Sequence, residues 1–192
     1  FTFLPAFLFC YFACPNRFRN LVILVSSLLF YLFCAGYILY ILIFSIVFNY
    51  IVSKIINSTS PKFSKTILFC SILINLLFLL LYKYLGFLWN TVDQLFSTLH
   101  ITKIGPAPNI VLPIGISFFT FQAISYIIDI YYKKILPPKS LIDFGTYLAS
   151  FPQLIAGPIV RFSHIQSYLR NRHHSPDEVF EGLYRFCLGL GK

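Results

Sequence analysis

The first residues that could do chemistry lie in an apolar run at 111–132, which carries a stripe of polar side chains. Gln122, Ser125 and Asp129 are spaced i, i+3, i+7, so they fall on one face of a helix. Lipid cannot satisfy amide, hydroxyl and carboxylate groups, so such a stripe must face protein or water. The pattern favours hydrogen bonds between helices. Direct contact with a substrate is the second interpretation.

A second candidate site lies in the run 151–161, where two prolines and a glycine interrupt an apolar sequence. These residues break a helix and free backbone carbonyl and amide groups. Irregular backbone in a bilayer is tolerated only where it is buried in protein or lines a wet cavity. Gln153 and Arg161 would then be available for polar contacts. The alternative is a kinked helix whose Arg161 side chain reaches the lipid headgroups.

The histidines and cysteines form no recognisable catalytic or metal-binding pattern. Histidine occurs at positions 100, 164, 173 and 174, and no Ser-His-Asp or Cys-His arrangement follows from this spacing. Cys10 and Cys14 share a predicted helix face, but no histidine or carboxylate lies near them in sequence. We therefore predict no metal site, no bound cofactor, and cysteines that serve as small buried hydrophobic residues.

The elements that hold these residues are more hydrophobic than those of soluble proteins. Of the 192 residues, 58% are hydrophobic and 11% are charged, and the mean hydropathy is +0.78. Charged residues make up about 25% of a soluble domain, and a soluble fold of this size buries only about 70% of its surface. The composition excludes soluble, disordered and disulfide-stapled proteins. It predicts an all-α, polytopic bundle of transmembrane helices.

The net charge of +9 indicates topology, because the cations lie in short clusters between apolar runs. Such loop charges orient membrane spans and meet anionic lipid headgroups. Membrane lipids are therefore expected partners, and nucleic acid is not. The clusters are Arg17/Arg19, Lys54/Lys62/Lys65, Lys133/Lys134/Lys139 and Arg161/Arg170/Arg172.

The apolar stretch 21–52 is predicted to fold back on itself. Its 32 residues would extend about 48 Å as one helix, whereas the hydrocarbon core of a bilayer is about 30 Å thick. Cys34-Ala35-Gly36 is the expected hinge between helices at 21–33 and 36–52. With this hairpin, the clusters at 17–19, 54–65 and 133–139 fall on one side, which the positive-inside rule makes cytoplasmic.

The chain is predicted to be a single membrane-embedded region, 1–192, without a soluble domain or an internal repeat. Residues 90–108 are mixed in character and suit an interfacial segment or a loop. The chain has no Met, begins at Phe1 inside an apolar run and stops at Lys192, so we expect a portion of a longer protein, incomplete at both ends. The predicted apolar segments are approximately 1–14, 21–33, 36–52, 66–89, 111–132, 141–160 and 178–190.

Two long motifs resemble a known family. PIGISFFTFQAISYIIDIYY (113–132) and LIDFGTYLASFPQLIAGPIVRF (141–162) are similar to the alginate O-acetyltransferase branch of the membrane-bound O-acyltransferases (MBOAT). FLPAF at 3–7, RNLVILVSSLLFY at 19–31 and FNY at 48–50 resemble the same branch, so the similarity covers nearly the whole chain. The resemblance implies a multi-span enzyme whose helices pack around a tunnel. Such enzymes move an acyl group, commonly acetyl, to a hydroxyl of an exported polysaccharide, and related members serve teichoic-acid D-alanylation.

The resemblance also implies that the catalytic base lies outside this chain. In relatives, a histidine takes the proton from the acceptor hydroxyl. It lies in a Trp-His-Gly context within a later apolar segment, after a further Trp-His. The one tryptophan of this chain, Trp89, is followed by Asn90, and the four histidines match neither context. We therefore expect no catalytic residue here, with the family histidine beyond Lys192.

By resemblance, Gln153, Gly157, Pro158 and Arg161 shape the wall of the reaction chamber or its entrance. Many relatives have histidine where this chain has Gln153, so no proton transfer is assigned to that position. Arg161 could hold an anionic group of the donor or acceptor. The alternative for Arg161 is a buried pair with Asp129 or Asp143.

The predicted function is that of a portion of a membrane O-acyltransferase that acetylates an exported polysaccharide such as alginate. The acyl donor is a required substrate whose identity the sequence does not give. We expect the protein in the bacterial cytoplasmic (inner) membrane, crossing it several times, and inactive without the missing histidine segment. Two other classes stay open. One is a transporter, indicated by the broken segment and the polar stripe. The other is a non-catalytic scaffold that assembles with polysaccharide-export proteins.

Overall fold

A computed structural model describes residues 2–98, 111–154, 157, 160–170 and 175–191. This part of the chain is helical and contains no β-strand, which confirms the all-α class. Its α-helices are α1 (Phe3–Ala13), α2 (Arg19–Ala35), α3 (Leu39–Ser58), α4 (Pro61–Thr98), α5 (Ile116–Tyr131), α6 (Leu141–Ala149), α7 (Phe151–Leu154), α8 (Phe162–Arg170) and α9 (Pro176–Leu190).

Two helical stretches are long and apolar enough to cross a membrane, Asn16–Ser58 and Pro61–Thr98. The first stretch turns at Gly36, where α2 ends and a short 3-10 turn (Gly36–Ile38) leads into α3. Gly36 has φ +60° and ψ −135°, a backbone conformation that a Cβ disfavours. The stretch therefore forms two helices that pack against each other.

The core lies where α5 meets α3, α4 and α6. The α3–α5, α4–α5 and α2–α6 pairs are the main helix–helix contacts of the described chain. Tyr126 at the centre of α5 is fully buried and packs on Phe144 of α6, with 4.5 Å between ring centroids. Its hydroxyl donates a hydrogen bond to Ser53 Oγ of α3 at 2.8 Å. One side chain thus joins three helices.

α3 and α4 are joined by a reciprocal amide pair in the middle of two regular helices. Asn75 Nδ2 donates to Asn49 Oδ1 at 2.9 Å, and Asn49 Nδ2 donates to Asn75 Oδ1 at 3.2 Å. Each amide also donates to a carbonyl one turn earlier, that of Ser45 or Ser71, at 2.8 Å. Both asparagines are buried. The α3–α4 pair therefore has its polar groups satisfied without any break in its helices.

The residues flanking the cation clusters come together at one end of the bundle, here called the basic end. It comprises the start of α2, the end of α3, the start of α4 and the segment 133–143. Tyr50 on α3 donates its hydroxyl to the Lys139 carbonyl at 3.1 Å. At the start of α2, Asn20 donates to Asp143 Oδ1 at 2.7 Å. This geometry agrees with a hairpin that brings clusters 17–19, 54–65 and 133–139 to one side.

Two expectations from the sequence are wrong. Residues 90–98 are not a loop, because they continue α4 to Thr98, and residues 99–108 lie outside the described ranges. No proline or glycine interrupts residues 90–98, and the hydroxyls of Thr91, Ser97 and Thr98 bond back to carbonyls of the preceding turn. The cysteines are not buried either: Cys14 is half-buried and the other four are exposed. The outer surface of a membrane bundle is itself apolar, so a small, weakly polar thiol can be exposed there at little cost in free energy.

Candidate functional site

The polar stripe of α5 faces protein. Gln122 is buried and its Nε2 donates to the Tyr147 carbonyl of α6 at 3.3 Å. Asp129 is also buried, and Ser125 is half-buried. Gln122 therefore makes a helix–helix hydrogen bond, the first of the two interpretations for this stripe.

α6 contains only nine residues, because Pro152 follows soon after its end. It begins at a Ser140 cap, whose Oγ accepts from the Ile142 amide at 3.1 Å. Pro152 has no amide hydrogen, and its ring clashes with the carbonyl four residues earlier, so a helix cannot run through it. The Phe151 amide is instead satisfied by Ser27 Oγ of α2 at 3.2 Å. The chain then makes the single turn α7.

The start of α6 and the end of α8 lie at the same level of the bundle. The Nδ2 of Asn20 donates both to Asp143 Oδ1, in the first turn of α6, and to the Leu169 carbonyl, at the end of α8, at 2.7 and 3.0 Å. Between them, the Tyr147 hydroxyl donates to the Val160 carbonyl at 3.0 Å, which joins the outgoing and returning arms. The described residues of 141–170 thus enter from the basic end and return to it. We call this segment the re-entrant hairpin.

The tip of the re-entrant hairpin is α7, which packs into aromatic side chains. The Phe151 ring lies 5.1 to 5.6 Å, between centroids, from the rings of Phe3, Phe7 and Phe30. α6 is nine residues long, about 14 Å at 1.5 Å per residue, so it covers less than half of a 30 Å hydrocarbon core. The irregular backbone that follows is held against α1 and α2.

The residues assigned by resemblance lie on this hairpin. Gln153 is half-buried at the tip, and its carbonyl accepts a hydrogen bond from the Gly157 amide at 3.1 Å. A Cβ at Gly157 would lie 2.6 Å from Gln153 Cα, so no larger residue fits that turn. Arg161 is exposed, on the returning arm. Pro158 lies outside the described residues.

Arg161 does not pair with either proposed carboxylate. Asp143 accepts its hydrogen bond from Asn20. Within the part of the chain that the structure describes, the ion pair present is Arg185–Glu181, exposed on α9. Neither Asp129 nor Asp143 is paired with Arg161, so the buried pair proposed as the alternative for Arg161 is not observed.

The histidines make no cluster that suggests chemistry in the described residues. His164 is exposed on α8, and His100, His173 and His174 lie outside the described ranges. No group of three or more His, Cys, Asp or Glu side chains within those ranges could hold a metal ion. Within those ranges, the polar side chains of the site named by resemblance are therefore Gln153 and Arg161.

Two open cavities of about 400 Å³ lie away from the hairpin. One, at the basic end, is lined by Asn57, Thr59, Ser64 and Lys133, among others. The second is an aromatic groove between α3 and α4 that includes Tyr40 and contains about 420 Å³. Neither is lined by Gln153, Gly157 or Arg161.

Several residues that position the site are not predicted by the sequence patterns. Asn20 and Ser27 of α2 hold the hairpin from outside, and Tyr147 holds its two arms together. The signal that could have found Asn20 and Ser27 is a polar residue at the start of, or inside, a long apolar run. The same signal marks Asn49 and Asn75. Which carbonyl or amide each would meet is a property of the packed helices.

Comparison with known proteins gives a consistent class, that of membrane O-acetyltransferases. The chain is 36% identical over its whole length to a probable alginate O-acetylase of Pseudomonas aeruginosa, of which it covers 37%. It is 37% identical to the corresponding protein of Azotobacter vinelandii and covers 39% of it. It is 31% identical to a peptidoglycan O-acetyltransferase of Helicobacter pylori, of which it covers 42%. No family profile and no solved structure matches.

These similarities confirm the resemblance drawn from the motifs. The chain is similar over its whole length to probable alginate O-acetylases and to a peptidoglycan O-acetyltransferase, and its two long apolar helices indicate a membrane protein. The chain spans about two fifths of the length of the curated relatives that it matches.

Proposed function

We propose that the protein containing this chain transfers an acetyl group to hydroxyls of an exported polysaccharide, and that residues 1–192 alone are inactive. The whole-chain identity of 36% to a protein named as a probable alginate O-acetylase carries this proposal. The acceptor is of the alginate or peptidoglycan kind, as the names of the relatives suggest. The acetyl donor is a second substrate.

The chemistry divides between this chain and the part of the relatives that it does not span. The acceptor oxygen attacks the acetyl carbonyl while a general base removes the hydroxyl proton, and the donor leaves with the electron pair of its bond to the acetyl group. The described residues contain no histidine placed for that step. The base is expected in the remaining part of the relatives' length.

The re-entrant hairpin forms one wall of the reaction chamber in this proposal. Irregular backbone within a membrane protein is stable only when buried or facing water. The hairpin meets this condition through Ser27, Tyr147 and the aromatic packing of Phe151. Gln153 at its tip offers an amide for a hydroxyl or a carbonyl, and Arg161 on its returning arm attracts an anionic group such as a uronate or a phosphate.

We place the protein in the bacterial inner membrane with several spans, the basic end on the cytoplasmic side. Polysaccharide-modification or export proteins are expected partners because the acceptor leaves the cell.

The test compares two proteins in a bacterium that makes alginate but lacks its own acetylase. One strain receives residues 1–192, and the other receives the complete open reading frame that includes them. O-acetyl esters per uronate are then measured on the purified polysaccharide. Esters from the complete frame alone support the proposal. Esters made by residues 1–192 above an empty-vector control contradict the inactivity of the piece. If the complete frame makes no esters in a strain where a relative's gene restores acetylation, alginate is excluded as the acceptor.

A matched pair of variants tests the role of Arg161 in the same assay. Arg161→Gln removes an exposed guanidinium on the returning arm of the hairpin, and Arg185→Gln removes an exposed guanidinium on α9 that pairs with Glu181. We expect ester formation to fall about tenfold or more with Arg161→Gln, the loss typical of a charged contact to substrate. Arg185→Gln should change it little. Equal activities of the two variants would show that Arg161 does not contact the substrate.

A further inference from the structure

Gly115 lies close to the backbone of Leu154 at the tip of the re-entrant hairpin. It lies in the PIGISFF motif immediately before α5, with φ +74° and ψ +8°, in the left-handed region. A Cβ built on Gly115 would lie 2.4 Å from the Leu154 carbonyl oxygen. Real Cβ atoms do not approach a backbone atom so closely, so one of the two backbones would have to move. Gly115 therefore permits the observed position of α7.

Neither backbone has room to yield without disturbing other contacts. On the Gly115 side, the neighbouring Ile114 carbonyl accepts a hydrogen bond from the buried Tyr31 hydroxyl at 3.0 Å. On the hairpin side, Leu154 is buried, and Phe151 is fixed by Ser27 and three phenylalanine rings. A close-packed interior transmits such a displacement to the residues attached to it.

Gln153 is the residue that a shift of α7 would carry with it. It directly precedes Leu154, and its carbonyl is bonded to the Gly157 amide. Gly157 in turn admits no side chain, because a Cβ there would lie 2.6 Å from Gln153 Cα. Two glycines thus bracket one turn of chain. Gly115 limits how far the tip extends towards α5, and Gly157 allows the chain to turn back.

We propose that Gly115 is a positioning residue that sets the depth of the hairpin tip and thereby the place of Gln153 in the reaction chamber. This inference rests on the proposed acetyl transfer for its effect on activity. The contact itself is independent of the reaction, so a readout of structure at Gln153 separates the two.

Gly86 of α4 provides the matched control, because a Cβ there meets nothing within 4 Å. In the complete open reading frame, Gly115→Ala is expected to lower the initial rate of ester formation about tenfold to 100-fold, the loss typical of an ångström-scale misplacement of a reacting group. Rates are normalised to monodisperse enzyme measured by size-exclusion chromatography. Gly86→Ala should keep the parental rate. If Gly115→Ala lowers only the yield of folded protein and not the normalised rate, Gly115 is merely structural and the inference fails.

Two further variants separate close approach from backbone conformation. Asparagine tolerates the left-handed region but carries a Cβ, so Gly115→Asn should be impaired as Gly115→Ala is. Because the close contact is with the Leu154 carbonyl, truncating its side chain should not rescue: Gly115→Ala with Leu154→Ala stays impaired. Full activity of Gly115→Asn would show that conformation alone matters. Restored activity of the double variant would show that the contact is through side chains.

The structural readout is the reactivity of a cysteine placed at the tip. Gln153→Cys is introduced into a background in which the five native cysteines are replaced by serine, and a small thiol reagent measures its modification rate. Adding Gly115→Ala is expected to change that rate, whereas adding Gly86→Ala is not. A changed rate, when the parental complete protein with Gln153 intact makes no ester, supports the positioning role and rejects the proposed function. Equal rates for all three proteins would overturn the positioning role, whatever the enzyme does.

Discussion

The α3–α4 pair and the re-entrant hairpin use buried polar side chains in opposite ways. In the α3–α4 pair, Asn49 and Asn75 bond to each other across two unbroken helices. In the hairpin, Asn20 and Ser27 of a neighbouring helix bond to the ends and the tip of a segment whose own helices are short. The first arrangement joins elements that already have their backbone groups satisfied.

The hairpin depends on its surroundings for that satisfaction. Its freed amide and carbonyl groups find partners on α2 and on Tyr147, so its position is a property of the packed bundle. We infer that changes to the α3–α4 pair alter stability, whereas changes around the hairpin alter stability and acetyl transfer together.

Asn20→Ala should have the largest effect, because it removes both bonds that hold the ends of the hairpin. Hydrogen bonds to charged groups contribute about 1.5–3 kcal/mol, so we expect a loss of this size in the free energy of unfolding and a marked fall in ester formation. Unfolding is measured by titration from mild detergent into SDS. Asn90→Ala, an exposed asparagine on α4, is the control. Equal stability of the two variants would show that the ends of the hairpin are held by other contacts.

Asn49→Ala and Asn75→Ala should each destabilise, and the double variant should lose less than the sum. The coupling expected for interhelical hydrogen bonds in membranes is about 0.6–1.7 kcal/mol. A double-mutant cycle on the same SDS titration measures it. The rate per folded enzyme should be unchanged in all three variants. A tenfold loss of that rate without loss of stability would show that the α3–α4 pair affects acetyl transfer as directly as the hairpin does.

Tyr147→Phe tests the hairpin with a smaller change. It removes the hydroxyl that donates to the Val160 carbonyl at 3.0 Å and keeps the ring that packs on Phe162. We expect a cost of about 0.5–1.5 kcal/mol in unfolding free energy, together with reduced ester formation. Parental rate and stability would mean that the two arms do not need this bond.

Tyr40→Phe should have the smallest effect. The Tyr40 and Tyr82 hydroxyls are 3.2 Å apart in an exposed position between α3 and α4. Exposed substitutions of this kind usually stay within about 0.5 kcal/mol. The same titration checks it, with the rate per folded enzyme as a second readout. A loss above 1.5 kcal/mol would assign this pair a structural role equal to that of Asn49 and Asn75.

Sequence patterns predicted the class of fold because composition and charge act over whole segments. The all-α class is confirmed, and the chain turns within the tripeptide that contains Gly36. The extension of α4 to Thr98 was missed, since the mixed polar and apolar residues at 90–98 give no clear helical pattern.

The site was harder to predict, because its geometry depends on contacts between residues far apart in sequence. The two prolines of 151–161 indicate a break, but they do not say where the chain goes afterwards. Only the packing of α2, α5 and α6 brings Asn20 close to Asp143 and Leu169. The same packing brings Gly115 close to the carbonyl of Leu154. The predicted role of Pro158 in the wall of the reaction chamber stays a prediction.

We infer that residues 141–170 enter the membrane and return to the side they came from. Single cysteines at Lys139 and Ser167, one before and one after the tip, test it in a cysteine-free background. They are modified with a membrane-impermeant maleimide in sealed vesicles of known orientation, with Tyr37→Cys, at the other end of the bundle, as the reference for the other side. We expect positions 139 and 167 to react from the same side and position 37 to react from the opposite one. Reaction of 139 and 167 from opposite sides would show a simple span and contradict this inference.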